Sequence, residues 1–201
     1  MTSFEKLLNR HAKRMTPRQW RLVACACVRR VSQATKGNSG AAIDLAERFA
    51  DGKATAYQLA STRHSGRFLT GNAAWAVCWD PAEDGHGMAK RASAWAAGLL
   101  GEDGTNLSLR DRTSTFELFD DIAGNVIEPA RIDPLWLAWN DGTVRHLAGA
   151  IYDERAWDNM PILADALEDA GCQDERILDH CRRGGPHTRG CWVVDLVLGM
   201  K

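Results

Sequence analysis

Apolar side chains recur at intervals of three and four residues in segment after segment of this 201-residue chain, and the runs are separated by glycine, asparagine or proline. That spacing puts them on one face of a helix with 3.6 residues per turn and leaves little chain over for strands. The expectation is an all-α fold, an irregular bundle of roughly nine or ten helices. Ser3 caps a first helix with Phe4, Leu7, Leu8 and His11 on one face. Thr16-Pro17 opens a second over 17–33, with Trp20, Val23, Ala24, Cys27 and Val31 inward, and the Gly37-Asn38-Ser39-Gly40 stretch ends it. Further helices are expected over 41–50, 55–67, 72–79, 88–100 and 113–122, the last capped by Gly124-Asn125. After them come a helix opened by Thr143, one over 161–170 ended by Gly171, one over 174–182 and a last one over 189–198. Between 125 and 141 the pattern is less regular, and a short extended pair fits there. No repeat of solenoid length is present. The chain reads as one domain, or as two packed halves, 1–100 and 107–201.

Composition agrees with a packed core. With 45% hydrophobic and 25% charged residues, the chain is neither wholly disordered nor collagen-like. No apolar run reaches the length of a membrane span, and the charged opening lacks the apolar stretch of a signal peptide, so the expected location is the cytoplasm, with no membrane partner. The six cysteines include no Cys-x-x-Cys pair and read as reduced thiols. Of the eight tryptophans most fall at core positions. Trp136 and Trp139 are the pair that can form an aromatic surface for a partner.

The near-neutral net charge of −1 hides an asymmetry. Residues 1–36 carry nine basic groups against Glu5, among them Arg18, Arg21, Arg29 and Arg30, while 101–171 carry fifteen acids against five arginines. A basic stretch of this kind suits nucleic acid, but a sequence pI of about 6.6 favours its being balanced by the acidic middle of the same chain.

Reactive side chains are densest near the C-terminus, where Cys172, His180, Cys181, His187 and Cys191 fall within twenty residues. His187 and Cys191, four apart at an expected helix start, can face one metal ion, and thiolate with imidazole is zinc chemistry. Cys172, His180, His187 and Cys191 are therefore the candidate zinc ligands, against a competing reading as buried core residues. Cys191 with His187 as base and Asp195 or Asp179 as third member is a weaker thiol-catalysis candidate. Cys25 and Cys27, two apart on a helix, point to different sides. The acidic pairs Asp120-Asp121, Asp153-Glu154 and Glu168-Asp169 read as solvated helix faces. Neither a phosphate-cradling glycine loop nor a hydrolase or kinase motif is present.

Two stretches carry a resemblance. Arg21 to Arg30, with its Ala24-Cys25-Ala26-Cys27 core, and Ala46-Glu47-Arg48-Phe49-Ala50-Asp51-Gly52 resemble the N-terminal signature of a heavily duplicated, uncharacterised family of planctomycete-type bacteria. The second half is the stronger match, through Ile122-Ala123-Gly124-Asn125, Ala150 to Arg155, Leu163 to Cys172, His180-Cys181-Arg182 and Gly185 to Leu196. Relatives often have a third cysteine where this chain has Val28, and their alanine-rich middle is interrupted here by 80–87. The resemblance implies a bacterial, intracellular, helical protein and brings no catalytic residue with it. The leading expectation is a non-enzymatic helical interaction module with an unknown protein partner, acting through 131–141. A structural zinc module and a nucleic-acid binder through the basic N-terminal helices are the alternatives.

Overall fold

The computed structural model describes residues 6, 9–11, 13–35, 40–64, 87 and 109–200. Among these the fold is all-α, as expected, with nine α-helices and no strand. They are α1 (Pro17–Thr35), α2 (Gly40–Ala50), α3 (Ala56–His64), α4 (Leu109–Ile127), α5 (Pro134–Ala138), α6 (Thr143–Glu154), α7 (Met160–Asp169), α8 (Glu175–Arg182) and α9 (Trp192–Leu198). Single 3-10 turns cover Trp139–Gly142 and Trp157–Asn159. The helices expected over 72–79 and 88–100, most of the first helix, and Trp75, Trp79 and Trp95 lie outside the described residues. No described helix is long and apolar enough to cross a membrane. The chain divides into two compact units, Met1–Phe119 and Asp120–Lys201.

In the first unit, α1 packs on α2 and α2 on α3. Two helix starts use the same reciprocal cap. The Gln19 side chain accepts from the Thr16 N–H at 2.9 Å while the Thr16 hydroxyl accepts from the Gln19 N–H at 3.2 Å, and Thr55 with Gln58 repeats this at 2.8 and 3.2 Å. The core of α1 is Trp20, Leu22, Val23, Ala24, Cys25, Ala26, Cys27 and Val28, all nearly inaccessible.

The second unit is built on Val144, Ile151 and Tyr152 of α6, Leu163 and Leu167 of α7, Ile177 of α8, and Val193, Val194 and Val197 of α9. Each aliphatic side chain fully buried in this way contributes about 1.5–3 kcal/mol. Helix α7 ends as its sequence dictates. Gly171 has φ +97°, its N–H reaches the Glu168 carbonyl at 2.9 Å, and the Cys172 N–H reaches that of Leu167 at 2.9 Å. Asp174 caps α8, accepting from the Arg176 N–H at 3.0 Å.

Four expectations are corrected. The 125–141 stretch holds no extended pair: Pro134 sits in the first turn of α5, whose cap Asp133 accepts from the Leu135 N–H at 2.8 Å. Helix α4 does not stop at Gly124 but runs through Ile127. Gly124 is there for packing, since a Cβ on it would lie 2.5 Å from Cδ1 of Trp192. Thr143 is the first residue of α6 rather than its cap, which is Gly142 at φ +82°, and the Thr143 hydroxyl donates back to the Asn140 carbonyl at 2.7 Å. Finally, α9 begins at Trp192, not 189, because Gly190 turns the chain at φ +89° and leaves Cys191 as N-cap.

Candidate metal centre

Helix α4 presents Leu118, Asp121 and Ile122 to the interior, three and four residues apart, so an acid occupies a core position. Asp121 is 1% exposed, whereas its neighbour Asp120 faces outward and pairs with Arg183 at 2.9 Å. Near its end α8 carries His180 inward, and the turn before α9 fixes Cys191, which is fully buried. His187 comes from the irregular 183–191 connection rather than from a helix start, which corrects the sequence placement. This connection is held because the Thr188 N–H donates to Oδ2 of Asp121 at 2.9 Å.

The four side chains converge. Oδ1 of Asp121 lies 2.8 Å from Nδ1 of His187 and 3.1 Å from Nε2 of His180. The Cys191 sulfur lies 3.2 Å from the same His180 nitrogen and 3.9 Å from the same His187 nitrogen. One ligand atom from each of the four falls within 4.8 Å of all the others. Tetrahedral zinc with bonds of about 2.0–2.3 Å needs donors roughly 3.3–3.8 Å apart, and the observed separations straddle that range.

Burial works against charge on Asp121, but the hydrogen bonds from His180 and His187 outweigh it and hold the carboxyl below its usual range. Burial lowers the His180 pKa despite the neighbouring carboxylate. Burial, reinforced by Asp121, pushes the Cys191 thiol well above its usual value. Nδ1 of His180 accepts the indole N–H of Trp192 at 2.9 Å and lies 2.8 Å from Nη2 of Arg183. Both groups are pure donors, so in this arrangement the ring hydrogen sits on Nε2, facing Asp121. Nε2 of His187 is buried without a partner.

A nucleophile relay needs its histidine to meet the thiol with one nitrogen and the orienting acid with the other. Here each histidine turns a single nitrogen to both, and the thiol is buried and hard to ionise. Asp179 is exposed, and Asp195 belongs to α9.

Of the four candidate zinc ligands, the structure brings His180, His187 and Cys191 together and adds Asp121. Cys172 lies in the apolar core of the second unit instead. Trp136 and Trp139 are half-buried against that core. Arg18 binds Asp51 at 3.0 Å, and Arg29 binds Asp44 at 2.7 Å and Glu47 at 3.0 Å. Arg21 is buried over the Phe49 ring, 4.9 Å from its centroid, and Arg30 is half-buried. Asp44 and Glu47 belong to α2, and Asp51 to the turn after it. Cys25 and Cys27 are both buried, and burial pushes the Cys27 thiol up to about 12.

Sequence reasoning missed Asp121, Thr188 and Trp192. The signal for Asp121 was its spacing of three from Leu118 and its place beside Ile122. No protein-family model, curated protein or solved structure matches the chain.

Proposed function

We propose that this protein is a non-enzymatic helical module whose second unit binds one zinc ion through Asp121, His180, His187 and Cys191. The observation that carries this reading is convergence: four buried donors, two imidazoles, a carboxylate and a thiol, meet at one point with the same nitrogen of each ring directed at both other ligands. A closed set of four protein ligands suits a structural site, and the set joins α4 to the 183–191 connection and the start of α9. A bound cation would also stabilise the thiolate that burial alone disfavours. Cobalt is the probe: the full chain with one equivalent of Co(II) should show visible tetrahedral bands and a sulfur-to-cobalt charge-transfer band. Cys191→Ser should lose the charge-transfer band, whereas Cys172→Ser should keep it. The same spectrum from wild type and Cys191→Ser would refute the site.

The interaction-module reading is supported by one feature of the 131–141 surface. Leu135 on α5, next to Trp136, is 75% exposed. Reproducible capture of one partner, lost in Leu135→Asp, tests it.

A further inference from the structure

The hydrogen bonds behind His180 bear on how such a site would be filled, an argument that rests on the zinc reading above. A histidine that ligates through one ring nitrogen ordinarily donates the N–H of the other to an acceptor. Here the rear nitrogen of His180 faces two groups that can only donate, the Trp192 indole at 2.9 Å and the Arg183 guanidinium at 2.8 Å. With a metal on Nε2 the ring's remaining hydrogen belongs on Nδ1, and three donors then oppose one another. Trp192 is closely confined: its indole lies against the backbone of α4 at Gly124, where even a methyl group would come within 2.5 Å, and the Arg176 guanidinium sits 5.5 Å from its ring. Arg183 is freer, being 46% exposed and already bonded to Asp120.

We infer that zinc occupancy is coupled to the Trp192 and Arg183 contacts on His180: filling the site breaks both, so these two residues hold affinity down and Trp192, at the head of α9, reports occupancy.

Zinc chloride is titrated into the full chain while the indole N–H resonances are followed by NMR, with Trp192→Phe used to assign one of them. The Trp192 resonance should move and saturate at one equivalent. Arg183→Met, at an exposed position that leaves packing intact, should bind zinc about tenfold more tightly, the effect of losing one opposed charged donor. Trp192→Phe changes no charge and keeps an aromatic side chain while removing the N–H donor, so its tighter binding separates the donor effect from simple charge repulsion. Saturable binding that leaves the Trp192 resonance in place, or that weakens in both variants, overturns the coupling while leaving the zinc site standing. A chain that takes up no zinc at all, in wild type or either variant, overturns both.

Discussion

Both units bury carboxylates, and they neutralise them in opposite ways. In the first, Glu47 and Asp51 meet guanidinium groups: Arg29 and Arg18 reach in from partly exposed positions and bring permanent charge. In the second, Asp121 meets two imidazoles and a backbone N–H, with a thiol in the same cluster, and none of these groups carries the permanent charge of a guanidinium. An arginine cannot give up its proton, so the first arrangement is a fixed tie. Imidazole and thiol can each release a proton and take a metal, so the second is chemically convertible. The difference separates a charge pair that holds two helices together from a cluster that can act as a site.

The comparison is broken most directly at the two carboxylates. Asp121→Ala strands two buried imidazoles and the Thr188 N–H, and should cost about 3 kcal/mol or more in urea unfolding. Glu47→Ala should cost less, about 1–2 kcal/mol, because Arg29 keeps Asp44 and partial access to water. Equal losses would remove the distinction. Gly124→Ala should destabilise by about 1–3 kcal/mol and displace Trp192, seen as a shift in indole fluorescence.

Acid should act through the second cluster in two stages. The folded pKa of His180 lies below the ordinary 6.5, so as pH falls below about 6.5 the unfolded chain binds a proton that the folded one resists, and stability declines. His11, also lowered by burial, adds a decline of the same sign from the first unit. The contribution of Asp121 is fully present above its unfolded value near 3.8 and is lost as pH drops through its lower folded value. Melting midpoints at pH 7.5, 5.5 and 3 follow both stages, and a flat profile between 7.5 and 5.5 would contradict the first. The smallest effect belongs to Arg182→Ala. Its bonds to Asp165 and Glu168 are exposed, so the melting midpoint should not move measurably.

The fold was legible because periodicity and caps are local. Thr16-Pro17, Asp174 and Gly171 each act within one turn of their own helix, and the structure has helix boundaries where those residues point. Residues read by type alone were harder. Gly124 resembles a stop signal, yet its role depends on Trp192, 68 positions later. The site was half legible for the same reason. His180, His187 and Cys191 are close in sequence and drew notice together, while Asp121 comes from a different helix 59 residues earlier. Beside Asp120 it looks like half of a solvated acidic pair, and only its spacing from Leu118 marks it as inward. Cys172 attracted the zinc reading by proximity in sequence, but its helix end turns it into the apolar core.

The most direct measurement of the central claim is a native mass spectrum of the full chain, produced without a metal-binding tag and given one equivalent of zinc. The account predicts a mass excess of one zinc per chain in the wild type and in Cys172→Ser, and a bare chain in His187→Ala. A bare wild-type mass, or a zinc retained equally by His187→Ala, would contradict it.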